Sequence, residues 1–174
     1  GGVILRSWMF VPQTLSTRNR ILHEASFLAS SFMRALASEK PELIFSVSPP
    51  LGLGLTASIL GRLWRVPYIF DVEDLQPDAA VELGMMRKQS IIDFLYRVEL
   101  KAYMGAALIS TLTEGMRQRI VEKGIDPAKV VLFPPRADSS LYTLRDRIDG
   151  TAFRHKYGLQ GKIIVSHSGN MGMK

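Results

Sequence analysis

With 174 residues, 47% of them apolar, the chain is long enough to enclose one well-cored domain and too apolar for a disordered one. No apolar run approaches the roughly 20 residues that span a bilayer, and the start lacks the charged region and small-residue cleavage site of a secretory leader, so the reading is cytoplasmic. The lack of cysteine excludes disulfides, thiolate metal sites and a cysteine nucleophile, three dispersed histidines argue against zinc, and a net charge of +6 points to anionic partners.

In chain order, apolar runs alternate with amphipathic stretches. Val3 to Phe10 reads as a strand and Pro12 to Asn19 as a polar loop. Ile21, Leu22, Ala25, Phe27, Leu28, Phe32 and Leu36 recur at helical spacing, which predicts an amphipathic helix over 17–38. Leu43 to Val47 reads as a strand stopped by Ser48-Pro49-Pro50, followed by a helix over 52–64 and a strand from Val66 to Val72. A helix over Ser90 to Met104, a strand from Ala106 to Thr111 and a helix over Thr113 to Lys123 come next, with Thr113 as N-cap and Gly124 as stop. Val130 to Phe133 is the following strand, closed by Pro134-Pro135.

Strands apolar throughout and separated by helices predict an α/β fold, a doubly wound parallel sheet covered on both faces. The expected organisation is a Rossmann-like domain over 1–135, a linker over 136–150 and the opening of a second domain over 151–174. The last part would begin with a short helix from Thr151 to Tyr157 and a strand from Lys162 to Val165. The strand-like start at Val3 and the glycine-flanked turn at the far end read as the edges of a fragment, most of one domain and the first strand of another.

Ligands of open parallel sheets sit at the carboxyl ends of the strands, so the segments after each apolar run are the candidates. Ser48-Pro49-Pro50-Leu51-Gly52-Leu53-Gly54 is a tight turn into a helix and lacks the third glycine of the dinucleotide fingerprint, which disfavours a dehydrogenase. Asp71, Glu73, Asp74 and Asp78 crowd the end of the next strand. Like charges there are costly unless solvent, a cation or a ligand relieves them. The cluster suits general-base or hydroxyl-orienting work, or else an acidic first turn for the next segment. Met85, Met86, Arg87 and Lys88 join apolar groups to positive charge in the manner of a contact with anionic lipid, the alternative being methionines packed internally. Gly169, Asn170 and Gly172, with Lys174 beyond, form a turn whose amides could face an anion. No zinc-finger spacing, aromatic RNA-binding signature or long basic run points to nucleic acid.

Taken in order, Ser48-Pro49-Pro50, Val66 to Pro77, Thr113-Glu114-Gly115-Met116, Gly124-Ile125 with Lys129-Val130, Phe133 to Asp138 and Ser168 to Gly172 resemble the retaining GT-B glycosyltransferases known as group 1 or family 4. The bacterial exopolysaccharide branch, similar to the colanic-acid biosynthesis glycosyltransferases, is the nearest in character. The resemblance implies an N-terminal domain for the acceptor and a C-terminal one for a nucleotide-sugar, with retention of configuration and no catalytic metal or other cofactor. It further implies a saccharide or polyprenyl-diphosphate-linked acceptor, and with it a peripheral position at the inner face of the cell membrane. On this mapping Asp74 and Glu73 orient or deprotonate the acceptor hydroxyl, and Gly169, Asn170, Gly172 and Lys174 meet the donor diphosphate. Gln76 stands where the family usually carries Trp, and Pro135 and Arg136 where it carries Asn and then Trp or Gly. The family's diphosphate-binding basic pair and Glu-x7-Glu segment are not in this sequence, so the chain by itself is expected to be inactive. The rival expectations are a non-catalytic membrane- or partner-docking domain of the same fold and a sugar-nucleotide epimerase-like enzyme.

Overall fold

The computed structural model describes residues 2–14, 16–135 and 149–169. The chain divides into two compact units, Gly1–Pro134 and Pro135–Lys174.

In the first unit four strands form one all-parallel sheet in the order β1-β2-β3-β4, namely Ile44–Ser48, Tyr68–Val72, Leu108–Thr111 and Val130–Leu132. Helices connect them: α2 (Gly52–Trp64), α3 (Gln76–Glu82) with α4 (Gln89–Gly105), and α5 (Glu114–Glu122). A single 3-10 turn over Pro127–Lys129 precedes β4. Parallel neighbours require such crossovers, which is why the alternation in the sequence translates into this α/β architecture.

Side chains alternate along a strand, so register decides what each face carries. Tyr68, Phe70 and Val72 of β2, Ile109 of β3 and Val130 of β4 share one face. There they form the core with Ala57 of α2, Ala102 and Tyr103 of α4 and Ile120 of α5. Phe70 and Tyr103 meet with ring centroids 6.0 Å apart, and each large side chain buried this way stabilises the fold by roughly 1.5–3 kcal/mol. α2, α4 and α5 supply the helical residues of this core. On the opposite face Phe45, in the edge strand β1, is 54% exposed, whereas Asp71 and Ser110 further into the sheet are buried.

α2 packs closely because of Gly54, where a Cβ would lie 2.5 Å from Phe70 Cζ and 2.8 Å from Ala102 Cβ. α5 begins at Thr113, whose hydroxyl accepts from the Met116 amide at 3.2 Å, and stops ahead of Gly124 at φ +90°. Both ends are as the sequence implies.

Two expected strands are absent from the described residues. Residues 2–11, including Val3 to Phe10, make no ladder and lie along α1 (Thr17–Leu36). Side chains of α1 hold that backbone: Ser26 Oγ accepts from the Phe10 amide at 2.9 Å, His23 Nδ1 donates to the Phe10 carbonyl at 2.6 Å, and Ser30 donates to the Trp8 carbonyl. An apolar run becomes a strand only where a neighbouring strand pairs its backbone, and here the Phe10 amide and the Trp8 and Phe10 carbonyls go to side chains of α1 instead. In the second unit, α6 (Thr151–Lys156) is present, but Lys162 to Val165 has no strand partner and Ile163 is 96% exposed. The extended segment instead gives its Lys162 carbonyl to Arg154 Nη1 at 2.9 Å.

Candidate functional site

Three strand ends converge at the carboxyl edge of the sheet. After β1, Ser48-Pro49-Pro50 carries two cis peptide bonds. The Ser48 carbonyl accepts from the Glu73 amide at 3.2 Å, tying this turn to the segment after β2. Gln76 adds a second tie, its Oε1 accepting from the Leu51 amide at 2.6 Å at the start of α2. The position at which the sequence departs from the usual Trp thus holds a side chain that joins two loops through a backbone amide.

The four carboxylates of the acidic segment separate into different roles. Asp71 lies within β2, is 5% exposed and accepts a hydrogen bond from Ser110 Oγ of β3, so it is a satisfied interior group. Glu73 is exposed and Asp74 is half-buried. Asp78 belongs to α3, where it supplies the acidic first turn, the alternative reading of this cluster, with Pro77 in the opening turn. The crowding is relieved by distribution: one carboxylate in the sheet, one in solvent and two at a cleft, the second of them on a helix.

That cleft has a volume of about 350 Å³ and opens between α3 and the N-terminal turn of α5. Asp74, Leu75 and Ala79 line one wall, and Thr113, Gly115 and Met116 the other. A Cβ at Gly115 would meet nothing within 4 Å, so the α5 wall is open to a bulky ligand. Arg119 and Glu82 pair across the rim. Asp74 and Asp78 are the acidic-segment carboxylates that line this space together with the residues following β3, while Glu73 lies one residue before Asp74 on the exposed side.

Behind α3 stands a set of groups that sequence reasoning missed. Lys123 Nζ pairs with Asp78 of α3 and with Glu99 of α4, the latter at 2.7 Å. Glu99 is 1% exposed and accepts from the Tyr103 hydroxyl at 2.9 Å. Burial pushes its carboxyl above the ordinary range despite the opposing pull of Lys123 and Tyr103. Burial also raises the Tyr103 phenol, and the Glu99 charge beside it adds to that. The three charged residues lie on three elements, and the only sequence signal was a glutamate at a core-facing position of an amphipathic helix.

Of the lipid-facing candidates, Met85 is half-exposed, Met86 less so, and Arg87 and Lys88 are exposed. Exposed Ile91 and Phe94, one turn apart on α4, extend the apolar character and were not singled out from the sequence. Among the described residues no helix is long and apolar enough to cross a membrane, and no three His, Asp or Glu side chains converge as a metal site. Gly169 is described and exposed, whereas Asn170, Gly172 and Lys174 lie outside the described residues, as does most of the linker expected over 136–150.

A parallel α/β sheet with a cleft at its carboxyl edge defines a Rossmann-like ligand-binding domain. Residues 3–136 match the glycosyl transferase 4-like domain family, and the chain belongs to that family. It is similar to WcaI of Escherichia coli (strain K12), named as a colanic acid biosynthesis glycosyl transferase, with 28% identity over 177 residues covering 98% of this chain and 44% of that protein. The chain thus spans less than half the length of this relative.

Proposed function

We propose that the intact protein transfers a sugar from a nucleotide-sugar to a saccharide or polyprenyl-diphosphate-linked acceptor, with retention, in surface-polysaccharide biosynthesis. The cleft between α3 and α5 carries the reading, because it places Asp74 beside an open wall at the carboxyl ends of β2 and β3. The family match over 3–136 and the likeness to a protein named for colanic acid biosynthesis support the choice of reaction and pathway class. In this reading the cleft takes the acceptor, and Asp74, with Glu73 beside it, orients the acceptor hydroxyl and draws off its proton. As the sugar–phosphate bond opens, negative charge grows on the departing diphosphate, for which Gly169, Asn170, Gly172 and Lys174 are the assigned contacts. No metal enters these steps. A lipid-linked acceptor also gives a use to exposed Met85, Arg87, Lys88, Ile91 and Phe94, which suit an anionic membrane surface on the cytoplasmic side.

The test is Asp74→Asn in the intact protein, followed by transfer of labelled sugar from a panel of nucleotide-sugars to extracted lipid-linked acceptor. Transfer is expected to fall at least about tenfold with the thermal midpoint unchanged, a loss that removal of a positioned base readily reaches. Near-normal turnover would remove Asp74 from this role. Binding of anionic vesicles with no transfer from any donor would favour a docking domain instead.

A further inference from the structure

α3 is a short helix with few ties, one of them at its start, where Gln76 accepts from the Leu51 amide at 2.6 Å. It has seven residues, and Pro77 is its one buried residue. A helix of that length has no stability of its own, so tertiary contacts set its position. The Arg119–Glu82 pair at the cleft rim is exposed on both sides, and such pairs contribute little. The stronger ionic tether runs through Asp78, which also lines the cleft, to a lysine outside it. Lys123, at the C-cap of α5, pairs with Asp78 of α3 and is itself anchored to buried Glu99 of α4. The Tyr96 hydroxyl donates to the second oxygen of Asp78 at 3.3 Å, and the Lys123 ammonium stands 5.1 Å from the Tyr96 ring centre. Lys123 does not line the cleft.

We propose that Lys123 is a positioning residue for the acceptor: by tying Asp78 to Glu99 it holds α3 at a set distance from α5, and so fixes the width of the cleft and the place of Asp74. The proposal rests on the reading of that cleft as the acceptor site. Because the two walls belong to α3 and α5, any loosening of α3 changes the acceptor's fit before it changes anything at the donor.

The experiment uses the intact protein and compares Lys123→Met, which keeps the aliphatic stem and removes the ammonium, with Lys123→Arg, which restores a cation. If Lys123→Met fails to fold, Lys123→Met/Glu99→Gln takes its place, since it leaves no buried carboxylate unpaired. Hydrogen exchange of the amides of residues 76–82 is read without ligand, and transfer kinetics are read with a polyprenyl-diphosphate-linked monosaccharide as acceptor probe. Exchange in α3 is expected to quicken at least about fivefold while β2 is unchanged, as for a local opening. The KM for the acceptor probe is expected to rise at least about fivefold with the donor KM unaltered, and Lys123→Arg to return both toward wild type. Unchanged α3 exchange would overturn the proposal and leave the acceptor reading standing. Faster α3 exchange with an unchanged acceptor KM, or no transfer by the wild type, would overturn the proposal together with that reading.

Discussion

Replacing Gly54 by alanine sets two effects of opposite sign against each other. Gly54 lies within α2, where alanine is favoured over glycine by about 1 kcal/mol. The added methyl, however, would stand 2.5 and 2.7 Å from Phe70 Cζ and Cε1 and 2.8 Å from Ala102 Cβ. Ordinary carbon contacts begin near 3.5 Å, so the neighbours must retreat by about 1 Å. Phe70 and Ala102 are both fully buried, one in β2 and the other in α4, so any retreat disturbs the core around them. Overpacking of this kind costs about 1–3 kcal/mol. With clashes against two separate elements the upper half of that range applies, which leaves Gly54→Ala net destabilised by about 1–2 kcal/mol after the propensity gain. Urea unfolding reads the difference as a lowered midpoint at constant slope. Gly115→Ala serves as the control, because its methyl meets nothing within 4 Å. A Gly54→Ala variant as stable as wild type would refute the close packing of α2 on β2 and α4.

Thr113→Ala should cost about 0.5–2 kcal/mol by leaving the Met116 amide without its cap, whereas Thr113→Ser should retain most of that; equal urea midpoints for all three proteins would contradict the cap. Glu99 predicts a pH dependence whose sign follows from burial. Its folded-state pKa is raised above the ordinary 4.5, so the folded protein binds more protons than the unfolded chain between those two values. Its contribution is fully present below pH 4.5 and is lost as pH rises through the raised value. The midpoint difference between wild type and Glu99→Gln, followed from pH 4 upward, should therefore shift against wild type across that window. A shift in favour of wild type would mean that the pull of Lys123 outweighs burial.

Helices whose termini carry local chemistry were legible without coordinates. Thr113 caps α5 because a hydroxyl there meets the amide three residues on whatever the rest of the chain does, and α2 runs from Gly52 to Trp64 over the expected range although Leu51 gives it no side-chain cap. Strands were less secure. Val3 to Phe10 is as apolar as β1, yet its bonds to α1 are the Phe10 amide and the Trp8 and Phe10 carbonyls meeting side chains, and Lys162 to Val165 likewise lacks a strand partner among the described residues. A strand is a property of a pair, and a single run of sequence carries only half of it.

The candidate site divides in the same way. From the sequence alone came the α/β class, the placing of functional segments after the apolar runs and the acidic segment ahead of Gln76, because these depend on periodicity and chain order. Only the tertiary structure separated the carboxylates, sending Asp71 to Ser110 inside the sheet, leaving Glu73 in solvent, and setting Asp74 against Thr113 and Gly115 across a cleft. It alone joined Asp78, Glu99 and Lys123, which are far apart in sequence and meet where α3 and the end of α5 come beside α4. The physical reason is range: capping and periodicity act within a few residues, whereas burial and ion pairing depend on which elements come to lie side by side.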